Sequence, residues 1–193
     1  MKKTRFIITT NIVNKVIIDL LKDLYKNLKI TKYDNCMLMT YTESFDQSIE
    51  SIMETINIDF GESIHVHEGF ILNDHFCKEY IDKYIEQVIK FNLLKSNYTN
   101  LVDLFYHVKD NGTREVLNDY YIYILKPVLE KNDNRLIIET FFNNNLNRLK
   151  TSKDLYMNRN SLTKRLETMS KVLGYNIQDF NTASMILFIM RIY

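Results

Sequence analysis

The chain reads as an α+β protein: a small α/β domain, then a helical connector, then an all-α helix-turn-helix domain. Three observations lead there. Up to about residue 92, β-rich segments alternate with amphipathic helical stripes, the order of an α/β layer structure. Beyond that point only helical periodicity is found. The stretch 149–173, LKTSKDLYMNRNSLTKRLETMSKVL, then holds a short helical pattern, a three-residue break at 156–158 and a longer helical pattern closed by Gly174. With 193 residues and 46% hydrophobic content, there is enough apolar mass for one large core or two small ones. The expected divisions are 1–92 for the α/β domain, 93–130 for the connector and 131–193 for the helix-turn-helix domain.

Taken in order, residues 5–13, RFIITTNIV, alternate weakly and are β-rich, so a strand is expected. Asn14 can cap a following helix whose stripe is Val16, Ile17, Leu20, Leu21, Leu24 and Leu28. Residues 36–42, CMLMTYT, read as a second strand, after which Ser44 caps a helix with Ile49, Ile52, Met53 and Ile56 on its buried face. Residues 63–71, SIHVHEGFI, form a third strand. Asn73 or Asp74 opens a longer helix carrying Phe76, Tyr80, Ile81, Tyr84, Ile85, Val88 and Ile89. Two more helical patterns fill 98–129, with a break at 110–112 and an interruption at Pro127. The aromatic side chains there, from Tyr98 to Tyr123, stand at helical spacing, which favours packing over a base-stacking surface. The polar stretch 130–134 is the best domain boundary. After it, Leu136, Ile137, Thr140 and Phe141 mark a helix, and Ala183, Ile186, Leu187 and Met190 mark the last one.

Within 149–173, Leu149 and Leu155 are expected to point the same way, with Thr151 and Ser152 small enough for close helix contact. The second pattern begins at Asn158, whose amide oxygen can accept from free backbone N–H groups of the first turn. Leu162, Leu166, Met169 and Leu173 then step at four, three and four. The exposed start of that helix carries Arg159, Asn160, Ser161, Thr163 and Lys164. A short helix, a tight turn and a longer helix with a basic N-terminus is how a helix-turn-helix reads DNA.

These residues carry a resemblance. Residues 135–193 resemble the C-terminal helix-turn-helix domain of PucR/CdaR-type bacterial transcriptional regulators. That family's core signature reads approximately H-R-N-T-L-x-Y-R-L, followed by a glycine and an acid-capped final helix. In the corresponding places stand Asn158-Arg159-Asn160-Ser161-Leu162-Thr163-Lys164-Arg165-Leu166, then Gly174, then Asp179. The same stretch is similar to the DNA-reading end of Fis-type nucleoid proteins, where N-R-G-T-L-x-K-K-L occurs. The family's histidine is Asn158 here, its threonine Ser161, its tyrosine Lys164, and the alanine of its preceding helix Ser152. None of these changes removes a donor from the DNA face, and Lys164 adds a charge. Residues 1–92 resemble, more loosely, the degenerate GGDEF-like middle domain of the same regulators. No G-G-D/E-E-F run exists, so cyclase chemistry is not expected. The resemblance implies a cytoplasmic bacterial transcriptional regulator.

Charge supports a nucleic-acid partner. The formal net charge is only +1, but residues 131–193 hold 10 Lys and Arg against 5 Asp and Glu, while residues 1–130 hold 15 against 19. Two cysteines, Cys36 and Cys77, are too few for a disulfide framework and suit a reducing cytoplasm. No apolar run approaches a membrane span, and the opening MKKTRFIITTNIV lacks the long apolar core of a signal peptide.

The candidate base-reading residues are Arg159, Asn160 and Thr163, since arginine pairs with guanine edges and asparagine with adenine. Ser161, Lys164, Arg165, Lys150 and Lys153 suit phosphates, which fix register without carrying sequence information. His65 and His67, two apart on a strand, with His75 and Cys77 following, are metal-ligand types at usable spacing. No second compact ligand pair completes the set, so exposed strand histidines and no metal are expected. No cofactor is expected, and no serine elbow, Walker loop or dinucleotide glycine run argues for an enzyme. The expected partners are double-stranded DNA and a second copy of the chain, because one two-helix motif covers too little DNA for high specificity. A small-molecule effector of unspecified chemistry is the remaining candidate partner. Two other readings use the same residues: an adaptor whose helix-turn-helix no longer binds DNA, and an effector or metal sensor acting through a partner.

Overall fold

The computed structural model describes residues 4–42, 48–72, 78–109 and 115–193. Two compact units are formed, residues 1–111 and residues 112–193. The first is a mixed α/β unit and the second is helical, so the chain as a whole is α+β.

In the first unit a five-stranded sheet has the order β2-β3-β1-β4-β5, formed by Thr4–Thr9 (β1), Lys29–Lys32 (β2), Met37–Tyr41 (β3), Val66–Leu72 (β4) and Tyr98–Asn100 (β5). All neighbours are antiparallel except β4 and β5, which run parallel. β1 lies at the centre, and Phe6, Ile7 and Ile8 have no solvent exposure. Alternate residues serve opposite faces. Ile7 belongs to a cluster with Ile17 and Leu21 of α1 (Lys15–Leu24) and Ile49, Ile52, Met53 and Ile56 of α2 (Ile49–Phe60). Phe6 meets Tyr84 of α3 (Lys78–Lys90) edge-on at 5.2 Å and Phe70 of β4 at 5.5 Å.

Gly69 is required by this packing. The Phe6 ring lies so close over it that a Cβ would fall 2.1 Å from the ring, and the β1–β4 register shifts at the same place. A bulge with a glycine is how a strand admits such an approach.

Several expectations change in detail. β1 ends at Thr9 rather than residue 13, because Asn11 turns to donate to the Asp34 carbonyl and Asn14 caps α1 through the Val16 N–H. The α2 cap is Ser48, which accepts from the Ser51 N–H at 3.2 Å; Ser44 lies outside the described residues. Asn73, Asp74, Phe76 and the break at 110–112 lie outside them too. β2 and β5 are additions. β2 is a polar edge with only Ile30 half-buried, and β5 has three residues, so neither offers a period to read.

His67 corrects the expectation of exposed strand histidines. It is fully buried, with Nδ1 2.8 Å from Thr99 Oγ1 and Nε2 2.9 Å from the Tyr84 hydroxyl. Thr99 sends its own proton to the Leu93 carbonyl, so it accepts from Nδ1–H, and Tyr84 donates to Nε2. Burial therefore holds a neutral imidazole, and its pKa is pushed down from 6.5 to about 3. The unfolded chain takes a proton below 6.5 that the folded chain refuses, so stability rises with pH across this window. Urea unfolding of the full chain should show stability falling as pH drops from 7 to 4, by at most about 1.4 kcal/mol per pH unit from this residue. His67→Gln should be less stable at pH 7 but show a shallower acid dependence.

In the second unit, α5 (Glu115–Tyr120), a π-helical segment (Tyr121–Leu125) and α6 (Lys126–Leu129) make one continuous rod. Pro127 does not break it. The Lys126 N–H reaches back to the Tyr121 carbonyl, five residues away, and the widened turn admits a proline that a four-residue register would reject. Tyr120, Leu125, Val128 and Leu129 of this rod are buried. The helical residues expected as a 93–130 connector thus fall in both units, with α4 (Leu101–Val108) in the first and the rod in the second. Residues 112–193 should accordingly fold alone, and trimming to 131–193 should lower the melting temperature by more than about 5 °C, since several buried apolar side chains are lost. Thermal scans of the two fragments decide this.

Candidate nucleic-acid interface

Four helices follow the rod: α7 (Asn134–Asn143), α8 (Arg148–Asp154), α9 (Arg159–Leu173) and α10 (Phe180–Ile192). α8 and α9 are the two arms of the helix-turn-helix. α8 is one seven-residue helix, too short to be stable by itself, and its neighbours hold it. Thr151 and Ser152 are buried at 0% and 5% exposure, so the two backbones can approach closely. The buried Asn144 amide, at the end of α7, donates to Asp154 Oδ2 at 2.8 Å and to Thr151 Oγ1 at 3.4 Å. Asn147 caps α8 through the Lys150 N–H at 3.0 Å.

The turn between the arms closes with the Tyr156 N–H on the Lys153 carbonyl and the Met157 N–H on the Ser152 carbonyl. That closure needs a left-handed residue, and Tyr156 occupies it at φ +50°. Its ring is 98% exposed, so no packing offsets the strain. α9 then opens on Asn158, whose Oδ1 accepts from the Asn160 N–H at 2.8 Å, and it ends at Gly174 with φ +83°. Leu162, Leu166, Met169 and Leu173 are all buried at 3% exposure or less.

Because α9 advances about 100° per residue, fixing that stripe inward fixes what faces out. Arg159, Asn160, Ser161 and Lys164 are exposed and Thr163 is half-buried beside them. No acid stands in the first turn, so the helix dipole and its free N–H groups add to the side-chain positive charge. Lys150 and Lys153 are exposed on α8. Arg165 is half-buried, and its guanidinium donates to the Asn132 carbonyl on the loop before α7, so part of its donor capacity is spent within the protein.

Two inward assignments shift. Leu136 and Leu149 are exposed at 55% and 52%, and the buried face of α7 is Ile137, Ile138, Phe141 and Phe142. Thr140 turns its hydroxyl back to the Leu136 carbonyl. Leu155 is half-buried. For metal binding, both ring nitrogens of His67 are already engaged, and His65 Nε2 lies 3.1 Å from Ser63 Oγ. His75 and Cys77 lie outside the described residues, and among those described no group of three His, Cys, Asp or Glu is gathered to hold an ion. Among the described residues no helix is long and apolar enough to cross a membrane.

Sequence reasoning missed Tyr156 and Asn144. Tyr156 was visible only as part of a break, since nothing in its type signals a left-handed site. The fold should gain from relieving it: Tyr156→Gly is expected to raise the stability of residues 112–193 by about 0.5–1 kcal/mol, the left-handed strain less the entropy of glycine. Denaturant unfolding measures it; a loss of stability would mean the ring or its backbone is not strained.

Comparison with known proteins agrees with this geometry. Residues 136–192 match the family described as the PucR C-terminal helix-turn-helix domain. A solved structure, the regulator of polyketide synthase expression from Bifidobacterium adolescentis, superposes with a TM-score of 0.51 over 98% of this chain and 80% of its own, at 14% identity. No curated protein matches the chain. The C-terminal region is similar to the PucR C-terminal helix-turn-helix domain, and the fold of the chain is like that of the Bifidobacterium regulator.

Proposed function

We propose that the protein is a transcriptional regulator that binds double-stranded DNA in a sequence-specific manner, with α9 in the major groove. The observation that carries this reading is the α9 N-terminus: a capped first turn without acids, presenting Arg159, Asn160, Ser161 and Lys164 to solvent while its opposite stripe is buried. Arg159, Asn160 and Thr163 read base edges. Ser161, Lys164, Lys150 and Lys153 hold phosphates, with Arg165 using the donors left over from Asn132. The protein acts in the bacterial cytoplasm as a homodimer on a near-palindrome, and it catalyses no reaction. The α/β unit supplies the dimer surface or takes an effector. The PucR-type match over residues 136–192 supports this reading, as does the likeness in fold to a protein described as a regulator of expression.

Selection of bound sequences from a random DNA pool, followed by fluorescence anisotropy on the recovered site, tests it. Arg159→Ala should weaken the selected site by about 1–3 kcal/mol and leave binding to random duplex nearly unchanged. Equal loss on both duplexes would make Arg159 a phosphate contact. Absence of any salt-dependent binding by the unaltered chain would end the assignment.

A further inference from the structure

We infer that the loop before α7 is a second phosphate clamp, with Lys131 as its cation, on the flank of α9 away from Arg159 and Thr163. The inference rests on the proposed DNA-binding reading. A cleft of about 310 Å³ lies between this loop, α6 and α9, lined by Lys131, Asn132, Asn134, Lys164, Arg165 and Thr168 over a floor of Val128, Met169 and Val172. Two lysines and an arginine line it, and no carboxylate does. None of its residues comes from α8, so its charge adds to that of Lys150 and Lys153.

The helical step explains what this cleft meets. Around α9, Arg165, Thr168 and Val172 fall on the side opposite Arg159 and Thr163. A helix lying in a major groove about 12 Å wide has a phosphate strand along each side. Lys150 and Lys153 suit one strand. Along the flank away from Arg159 and Thr163, the cleft brings together Lys131 and Lys164, both exposed, where a phosphodiester would pass. The loop is positioned for this rather than loosely attached. The Arg165 guanidinium donates to the Asn132 carbonyl, the Asn134 amide donates to the Val128 carbonyl at 2.8 Å, and Asn132 and Asp133 turn through left-handed backbone at φ +45° and +59°. Lys131 therefore moves with the reading helix, and its contact sets the angle at which α9 enters the groove.

The test uses the full chain on the selected duplex and on a random duplex, over a series of salt concentrations. Lys131→Ala should reduce the slope of log K against log salt by about 1 and weaken both duplexes alike, severalfold to about tenfold at 0.1 M salt. Lys131→Arg should restore both. Unchanged melting temperatures exclude a folding effect. If the unaltered chain binds and Lys131→Ala changes neither slope nor affinity, the clamp is overturned while the DNA-binding reading stands. Loss confined to the selected site, or failure of the arginine to restore binding, overturns it equally. If the unaltered chain binds no DNA at all, the underlying reading fails instead.

Discussion

Burial of one stripe on α9 is the constraint on which the C-terminal unit depends. Leu162, Leu166, Met169 and Leu173 fix the rotational phase of a fifteen-residue helix with no freedom left over. Once they point inward, Arg159, Asn160 and Lys164 have nowhere to go but outward. The apolar core thus does more than hold the unit together: it aims the polar face. A substitution that let α9 rotate by one residue would turn that face by about 100° and would cost both stability and whatever the face recognises.

In the α/β unit the corresponding constraint is β1. Its fully buried side chains serve both faces of the sheet, and the packing of Phe6 forces the choice of Gly69 across the ladder. The same layer buries His67, whose two nitrogens are satisfied by Thr99 and Tyr84. A buried polar group with every partner supplied fixes one arrangement of three elements, β4, β5 and α3, more narrowly than apolar contact alone would. Elsewhere in the unit, the hydroxyls of Thr9 and Tyr25 are among the buried polar atoms without a hydrogen-bond partner.

How much of this was legible follows from which signals are local. The stripes of α2 and α9, and most of those of α1 and α3, where Val16 and Ile89 turn outward, could be read because a 3.6-residue period is written along the chain itself, and so could the glycine at the end of α9. β2 could not, since a polar edge strand has one half-buried residue and its partner lies elsewhere in sequence. The burial of His67 depends on Thr99 and Tyr84, 32 and 17 residues away, and no spacing rule reports such a meeting. For Pro127 the local rule was sound but incomplete. Proline forbids the ordinary register, and the chain answered with a wider turn instead of a stop. At the interface, residue types on α9 were readable from its phase, whereas the engagement of Arg165 by the Asn132 carbonyl was a long-range fact.

The backbone around α8 shows how the interface geometry is held. The chain has only four glycines, and among the described residues seven non-glycine positions have positive φ. Five of these are Asn or Asp, which tolerate the left-handed region at low cost. The other two, Leu146 and Tyr156, stand at opposite ends of α8. Both ends of the shortest arm of the motif are therefore closed by residues that resist the conformation they adopt. Such closures persist only where the surroundings over-determine them. Here the surroundings are the buried Thr151 and Ser152 and the Asn144 amide, which reaches Asp154 and Thr151 at once. α8 is thus set by its tethers and not by helix propensity, and the angle between the two arms, which decides how α9 can meet a groove, is a property of α7 and its terminal asparagine as much as of the motif itself.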